Sequence, residues 1–545
     1  MDSSSLSPYI LLFNALSQIP TCHYLVAFLI ISITFLYKFL EVHFFEDVFF
    51  KSQGTPITYN PSSPFCNAIL SSCKILHSRF VATTWISSPH FQTAFLQFCG
   101  RSPVFSYRRH LFRTSDGGTI ALDWLMNADG AFGINGASLP MNNAISQDET
   151  TPIVVVVPGL ASSSTSNYLK NLAFNLAKHG WNVVVSNHRG LGGVSITSDC
   201  FYNAGWTEDL RAVANYLHDK YPKAPLFAIG TSIGANILVK YLGEDGEGTP
   251  IAGAVAVCNP WDLLIGDRFI CRRLLQRIYD KALTIGLQGY AQLHEPLYTR
   301  LANWEGIKTA RCLRDYDNYA TCHVGKFETV DTYYRHCSSA AYVGNVSVPL
   351  LCISALDDPV CTREAIPWDE CRANPNIVLA TPQHGGHLAF FEGLTASSSW
   401  WIRAVDEFLG VLRSSPYIHK QTSGQHSALD SSIDQYPHLH VAEDGIVTAA
   451  SGEEKRDGIE DIKNLQMLSE EKTTEMLSNA EQEKHGVESP DITSPLRRFL
   501  NQISQQNSIS IWLLAFIAIR TSWPLVGSLT KFIFRKRSRK IMPAA

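Results

Sequence analysis

The chain has 545 residues, of which 45% are hydrophobic, and a formal net charge of −4 at pH 7. This length exceeds one ordinary domain, and the hydrophobic content suits a globular core together with a membrane-seeking segment. The small net charge, without a basic stripe in the middle of the chain, argues against a nucleic-acid partner. The 13 cysteines are scattered and form no CxxC pair. That pattern argues against a zinc site or a small disulfide scaffold, so we expect no metal and no other cofactor.

The N-terminal region contains a distinctive segment at residues 25–37, which is uncharged and almost continuously apolar. Together with its flanks it approaches the roughly 20 residues that span a bilayer. No basic region precedes it and no small-residue cleavage site follows it, which favours an uncleaved anchor over a signal peptide. A buried core helix is the alternative. We therefore predict that residues 1–50 form a single-pass membrane anchor, with the endoplasmic reticulum as the default compartment and a plastid as the alternative.

The middle of the chain, residues 51–413, is predicted to be one domain in which strands and helices alternate. We predict a hairpin at 108–125, strands at 153–157, 181–186, 225–229, 252–257, 349–354 and 376–380, and helices at 167–178, 206–221 and 397–412. Strands that are apolar on both faces and alternate with helices indicate a mostly parallel sheet covered on both sides. Residues 259–345 interrupt the alternation. They are helical in pattern and rich in aromatic residues, which predicts a lid inserted over the strand ends.

The composition changes at about residue 414. From there to residue 495 the chain is polar and poor in aromatic residues, which predicts a disordered linker. The last segment, 496–545, contains the apolar stretch Ile509–Ile519, which Arg520 and Pro524 interrupt before a basic tail. An interfacial helix with its basic flank on anionic lipid is one interpretation, and a helix docked on the domain is the other.

One stretch points directly to chemistry. The apolar run 226–229 ends in Gly230-Thr231-Ser232-Ile233-Gly234, and a helix-like segment follows at once. A strand, a sharp turn and a helix would expose the hydroxyl of Ser232 as a nucleophile, with the N–H of Ile233 facing a developing oxyanion. The loop after the first central strand offers the N–H of Leu160 as the second oxyanion donor. The alternative is a small-residue turn before an ordinary helix.

A serine nucleophile needs a base and a group that orients the base. Enzymes with a serine at such a turn carry the acid and then the histidine later in the chain. Here Asp357 and Asp358 follow a late strand, and His384 and His387 follow the last one. In enzymes with such a serine turn the acid usually stands two residues before a valine or isoleucine, and Asp358 does so while Asp357 does not. The proline directly after Asp358 also biases its backbone toward an extended conformation. His387 is favoured because it follows a Gly-Gly pair. An ordinary surface turn and a loop histidine are the alternatives.

A second cluster at residues 186–193, Ser-Asn-His-Arg-Gly-Leu-Gly-Gly, also follows a strand. It lacks the GxGxxG spacing of a dinucleotide site. Phosphate binding or pocket shaping are alternatives. We predict a structural turn in which His188 and Arg189 make local hydrogen bonds.

Together these motifs resemble the embryogenesis-associated, YheT-like branch of the α/β-hydrolases, over about residues 80 to 412. The matching stretches are His90-Phe91-Gln92-Thr93, Asn187-His188-Arg189-Gly190, residues 205–210, Gly-Thr-Ser-Ile-Gly-Ala-Asn at 230–236, Asn259-Pro260, residues 331–334, Asp357-Asp358-Pro359 and Gly385-Gly386-His387. The resemblance implies an eight-stranded sheet, a Ser232–Asp358–His387 triad, acyl-ester substrates and membrane-anchored esterases. Some relatives transfer acyl groups to alcohols. The loop after Gly159-Leu160 departs from the family pattern, because serines stand where many relatives have a Thr-Gly pair.

We therefore predict a membrane-anchored serine ester hydrolase with the α/β-hydrolase fold. Its expected partners are an acyl-ester lipid of the acylglycerol or phospholipid type and the membrane itself. An acyltransferase and a non-catalytic membrane scaffold are the alternative functions.

Overall fold

The computed structural model describes residues 20–40, 54–127, 149–420, 440–441 and 447–448. The chain divides into two compact units, residues 1–424 and 425–545. The helices described in the first unit are α1 (Thr21–Leu40), α2 (Pro64–Ser72), α3 (Lys74–His77), α4 (Pro89–Cys99), α5 (Asn167–Lys178), α6 (Glu208–Lys220), α7 (Ile233–Asp245), α8 (Leu263–Ile270), α9 (Leu274–Leu293), α10 (Glu295–Leu301), α11 (Trp304–Thr309), α12 (Leu313–Tyr316), α13 (Cys322–Gly325), α14 (Val330–Cys337), α15 (Trp368–Ala373) and α16 (Trp400–Arg413).

The first unit is built on a nine-stranded sheet. Its strands are β1 (Ile57–Tyr59), β2 (Arg108–Arg113), β3 (Thr119–Leu125), β4 (Ile153–Val157), β5 (Asn182–Ser186), β6 (Leu226–Thr231), β7 (Ile251–Val257), β8 (Leu350–Ile353) and β9 (Ile377–Ala380). They lie in the order β1-β9-β8-β7-β6-β4-β5-β3-β2. The six strands β4 to β9 pair in parallel, and β1, β2 and β3 join antiparallel at the two edges. This arrangement confirms the predicted fold class.

The sheet has one strand more than the eight that the sequence predicts. The additional strand, β1, runs antiparallel to β9, with Ile57 opposite Ala380. It is three residues long and only half-buried. A strand so short leaves no readable alternation of apolar and polar residues, which is why the sequence pattern missed it.

Both faces of the sheet are covered. On β4, Val154 and Val156 belong to one core, while Val155 and Val157 belong to the other. Helices α5 and α16 contribute to the first core, and helices α6 and α7 contribute to the second. Because parallel strands buried on both faces have no solvent side, they read as unbroken apolar runs, as in Ile-Val-Val-Val-Val of β4.

A helical segment separates β7 from β8. Helices α8 to α14 lie within it, and short β10 (Phe391–Glu392) and β11 (Ser398–Ser399) follow later, between β9 and α16. The segment's aromatic residues Tyr290, Tyr298 and Tyr316 pack with Phe201, which precedes α6, in one buried cluster. We call residues 259–345 the lid, as the sequence analysis did. Its division from the rest of the domain stays a prediction.

The predicted membrane anchor is not supported. Helix α1 covers residues 21–40, but no helix in the described part of the chain is long and apolar enough to cross a membrane. Residues 1–19 and 41–50 of the predicted anchor lie outside the described residues, and the compartment assignment stays a prediction.

In the second unit the structure describes a two-stranded antiparallel pair, β12 (His440–Val441) and β13 (Val447–Thr448), with His440 opposite Thr448. Nearly all of the predicted linker, 414–495, and all of the predicted C-terminal segment, 496–545, lie outside the described residues, as does most of the polar loop after β3.

Candidate active site

Ser232 occupies a strained turn between β6 and α7. Its φ of 54° and ψ of −123° are unfavourable for a residue with a Cβ atom. Its N–H donates to the carbonyl of Val257 at 2.8 Å, which ties the turn to β7. A Cβ atom added to Gly230 would lie 2.4 Å from the carbonyl oxygen of Gly234, and one added to Gly234 would lie 2.3 Å from that of Val157. The two glycines are therefore required where β4, β6 and α7 meet.

The structure brings Ser232, His387 and Asp358 together. Nε2 of His387 lies 3.0 Å from Oγ of Ser232, and Nδ1 lies 2.9 Å from Oδ2 of Asp358. The Asp358 side chain is 1% exposed. Its other oxygen accepts the N–H groups of Val360 at 2.8 Å and Cys361 at 2.9 Å. Asp358 is therefore held on both oxygens, and one of them faces the histidine ring.

The neighbouring carboxylate and histidine form a separate pair. Oδ2 of Asp357 lies 3.2 Å from Nδ1 of His384, and Oδ1 accepts the N–H of Gly386 at 3.1 Å. The two aspartates therefore have different surroundings, although they are adjacent in sequence. Asp357 braces the loop that carries His387.

Helix α4 also holds the histidine loop. The N–H of His387 donates to Oγ1 of Thr93 at 3.0 Å, and the N–H of Phe391 donates to Oε1 of Gln92 at 2.9 Å. Gln92 is fully buried. In the sequence, Gln92 and Thr93 belong to a stretch that resembles the family, and the pattern indicates no role for them. Thr93 and His387 are 294 positions apart, and no local pattern in the sequence could pair them.

A buried thiol adjoins the pair of Asp358 and His387. Ligand atoms of Cys258 and these two residues all lie within 4.8 Å of one another, which raises the question of a metal site. Burial raises the pKa of the Cys258 thiol well above its usual value. A metal binds thiolate rather than thiol, so this donor set fits a metal poorly. Sγ of Cys258 instead accepts the N–H of Leu388 at 3.4 Å, which ties the end of β7 to the histidine loop.

The two predicted oxyanion donors lie beside the serine. Leu160 and Ile233 line the same cavity as Ser232. A Cβ atom on Gly159 would lie 3.3 Å from Cβ of Ser232, so the loop after β4 passes close to the nucleophile. The N–H of Ile233 is the first of α7, where N–H groups lack an acceptor within the helix. Their role as oxyanion donors stays a prediction.

Two tyrosines fix the backbone of that loop. The N–H of Gly159 donates to the hydroxyl of Tyr168 at 3.1 Å, and the N–H of Ala161 donates to that of Tyr202 at 3.2 Å. These two donors flank the N–H of Leu160 on the chain.

In the cluster at residues 186–193, His188 and Arg189 are hydrogen-bonded to other parts of the domain, and a purely structural role stays a prediction. Nε2 of His188 lies 2.9 Å from the carbonyl oxygen of Pro158, and its ring stacks on Tyr202 with centroids 4.3 Å apart. Burial lowers the pKa of His188, which keeps its ring neutral. Nε of the buried Arg189 donates to Asp209 at 2.8 Å, and its NH1 group donates to Ser198 at 2.8 Å. Through His188 the cluster contacts Pro158 in the loop after β4.

Ser232 and His387 line a cavity of about 160 Å³ under the lid, whereas Asp358 is buried and does not line it. Its walls are mostly apolar and aromatic, and include Leu287, Tyr290 and Tyr298 from the lid. The Tyr290 hydroxyl donates to the carbonyl of Arg189 at 2.8 Å, so the tyrosine presents its ring to the cavity region and not an unpaired hydroxyl. An apolar chamber beside a nucleophile suits a hydrocarbon chain.

Two lid acids line this cavity, Asp267, which pairs with Arg314, and Asp317. Asp317 accepts hydrogen bonds from the hydroxyls of Thr321 at 2.6 Å and Tyr334 at 2.8 Å. Burial raises the pKa of Asp317 to about 6. No sequence pattern indicates the buried position of Asp317, because its burial depends on the packing of several lid helices.

Comparison with known proteins agrees with this geometry. Residues 152–394 match the family described as alpha/beta hydrolase fold. The embryogenesis-associated protein EMB8 of Picea glauca is 36% identical over 334 residues, which cover 60% of this chain and 71% of that protein. The chain belongs to the α/β-hydrolase family. This membership confirms the predicted family, fold class and enzyme class, a serine ester hydrolase.

Two other relatives of this α/β-hydrolase carry names that describe an activity. Phospholipase ABHD3 of Mus musculus is 29% identical over 330 residues, covering 61% of this chain and 77% of that protein. The medium-chain fatty acid ethyl ester synthase/esterase 2 of Saccharomyces cerevisiae is 28% identical over 383 residues, covering 59% of this chain and 84% of that protein.

The contact between Thr93 and His387 yields a first prediction. Thr93→Val removes the acceptor of the His387 N–H and should lower kcat about tenfold with little change in KM, because a lost hydrogen bond of about 1.4 kcal/mol misplaces the base but not the cavity. Thr93→Ser keeps the hydroxyl and should retain activity. Steady-state hydrolysis of a soluble ester measures both constants. Equal losses in the valine and serine variants would contradict this role.

Asp317 yields a prediction of pH dependence. Its carboxyl has a pKa of about 6 in the folded chain, against about 3.9 in an unfolded one, so folding favours the protonated form. Ionisation therefore costs stability as the pH rises from about 4 to about 6, and the cost stays constant above that range. Asp317→Asn should therefore raise the free energy of unfolding, relative to the parent protein, by up to about 3 kcal/mol more at pH 8 than at pH 4. Urea unfolding of both proteins at the two pH values measures this, and an equal difference at both would refute it.

Proposed function

We propose that the chain hydrolyses acyl esters of lipids, of the acylglycerol or phospholipid type, through an acyl-enzyme on Ser232. The observation that carries the proposal is the row Asp358–His387–Ser232, hydrogen-bonded at 2.9 and 3.0 Å, at an apolar cavity under a helical lid. The name of one relative, phospholipase ABHD3, supports a lipid ester as the substrate.

Acylation begins with the base. Nδ1–H of His387 donates to the acceptor-only carboxylate of Asp358, which leaves Nε2 unprotonated and facing Oγ of Ser232. His387 takes the serine proton as Oγ attacks the ester carbonyl carbon. Asp358, held by two backbone N–H groups, stabilises the imidazolium that forms. The carbonyl oxygen becomes an oxyanion that the N–H groups of Ile233 and Leu160 stabilise.

Collapse of the tetrahedral intermediate breaks the bond to the alcohol. His387 returns its proton to the leaving alkoxide oxygen, and the acyl group stays on Oγ. Water then attacks the acyl carbon while His387 takes one of its protons. The second collapse releases the carboxylic acid and restores the Ser232 hydroxyl with that proton.

The cavity favours an apolar acyl group. Leu160, Ile233 and Leu287 are among the side chains that line it. Burial of a hydrocarbon chain there removes apolar surface from water, at about 25 cal/mol per Å². Acyl transfer would differ only in the second step, where an alcohol replaces water. The name of the yeast synthase/esterase motivates this second candidate.

The nucleophile assignment is tested by covalent labelling with a fluorophosphonate. Ser232→Ala should abolish labelling and reduce ester hydrolysis by several orders of magnitude, because nucleophile and base act as one unit. Circular dichroism of the variant should match the parent protein. Undiminished labelling of the variant would assign the nucleophile to another residue. Product analysis with and without added alcohol separates hydrolysis from acyl transfer.

The paired aspartates provide a matched comparison. Asp358→Asn should lower turnover by about four orders of magnitude, because the amide favours the wrong tautomer of His387. Asp357→Asn should lower turnover by less than about tenfold, since Asp357 bonds only to the loop beside the base. Steady-state rates on one soluble ester decide between them. A larger loss at Asp357 would reverse the assignment.

A further inference from the structure

The lid helix α9 has two faces of different chemistry. Its inner face carries Leu283, Leu287 and Tyr290, which line the cavity. Its outer face carries Leu274, Ile278 and Ile285, which are 59%, 36% and 45% exposed. The spacing of these three residues places them in one stripe along the helix. Because α9 is apolar on both sides, its outer face exposes apolar surface to water, and burial of that surface is favourable.

Along residues 262–293 the exposed charges are basic, and the half-exposed Asp331 of the adjoining helix α14 pairs with Arg314. Between residues 262 and 293 the side chains that are both charged and exposed are Arg268, Arg272, Arg273, Arg277 and Lys281. The three acids of this stretch are engaged: Asp262 accepts the N–H of Ile265, Asp267 pairs with Arg314, and Asp280 is buried and accepts the N–H of Leu313.

On the helix itself the two kinds of residue are interleaved. Arg277 and Lys281 alternate with Leu274, Ile278 and Ile285 at spacings of one to four residues, so all five share one side of α9. We call the exposed residues Ile265, Arg268, Arg272, Arg273, Leu274, Arg277, Ile278, Lys281 and Ile285 the lid face. Apolar residues between basic ones are the pattern of a surface that enters the headgroup region of an anionic membrane.

We propose that the lid face docks the enzyme on an anionic lipid surface. The same helices α8 and α9 form the wall of the cavity, so docking brings the cavity that contains Ser232 next to the lipid. The basic side chains bind the headgroups, and the exposed leucine and isoleucines enter the boundary with the acyl chains. A nucleic acid would use the basic residues alone and would leave the apolar stripe in water.

Helix α9, which carries most of the lid face, contacts the helix that holds the catalytic loop. Nδ1 of His90 on α4 lies 3.1 Å from the hydroxyl of Tyr279 on α9, and the two rings stack with centroids 5.7 Å apart. Three residues further along α4, Thr93 accepts the N–H of His387. Direct contacts therefore run from α9 through α4 to the loop that carries the base.

The test uses the full chain and vesicles that contain an ester substrate. One set is phosphatidylcholine alone, and the other has about 30% phosphatidylglycerol. A soluble short-chain ester serves as the reference substrate. The lid variant is Arg272→Glu with Arg273→Glu and Arg277→Glu. The matched control reverses three cations at the opposite end of the sheet, where the parallel strands begin: Lys178→Glu, Lys223→Glu and Arg372→Glu. An apolar variant carries Leu274→Ser, Ile278→Ser and Ile285→Ser.

Anionic lipid should raise hydrolysis of the vesicle ester about tenfold in the parent protein and in the control, and about 0.5 M NaCl should remove the increase. The charge variant should lose the increase, and the apolar variant should lose most of it. All variants should hydrolyse the soluble ester at the parent rate. A charge variant that keeps the full increase, or a control that loses it, would overturn the proposal.

The choice of a vesicle ester rests on the proposed function. Two further results distinguish a failure of the proposed function from a failure of the docking proposal. If the parent protein hydrolyses neither ester, the proposed function fails. Docking is then decided by flotation with the two vesicle types, in which the charge variant should lose the salt-sensitive fraction that the control retains. If the apolar variant floats like the parent while the charge variant loses binding to vesicles and to duplex DNA alike, the lid face is a general polyanion site and the proposal is wrong.

Discussion

The site depends on one constraint, the left-handed backbone of a serine at the point where a strand becomes a helix. At a φ of 54° Ser232 carries a strain of about 1–3 kcal/mol. The surrounding structure enforces it, because β4, β6 and α7 close on Gly230 and Gly234 with no space for a side chain. The same turn directs Oγ out of the sheet and places the first N–H of α7 beside it. A relaxed turn would lose both features.

The remaining groups reach Ser232 because parallel strands end at one edge of a sheet. Asp358 follows β8 and His387 follows β9. The loop after β4 contributes Leu160 to the same cavity as Ser232 and His387. What fixes the histidine loop is outside the sheet: Gln92 and Thr93 of α4 accept its backbone N–H groups. The lid then covers the site, and its outer helix links that cover to α4 through His90 and Tyr279.

The sequence predicted the sheet and the neighbourhood of the site because both follow from local patterns. Unbroken apolar runs identify β4 to β9, and Ser232, Asp358 and His387 each stand just past one of them. The strand β1 was missed because it is too short, and the role of Thr93 because it depends on a contact across 294 positions. The anchor prediction at residues 25–37 is not supported, because no helix in the described part of the chain is long and apolar enough to cross a membrane.

The central claim is that Ser232 carries the acyl group during turnover. The most direct measurement is mass spectrometry of the enzyme quenched with acid during hydrolysis of a lipid ester. The account predicts a peptide containing Ser232 whose mass is increased by the acyl group minus one hydrogen, and no such peptide from Ser232→Ala. An acyl group found on another residue, or rapid product formation with no acylated peptide under any quench, would contradict it.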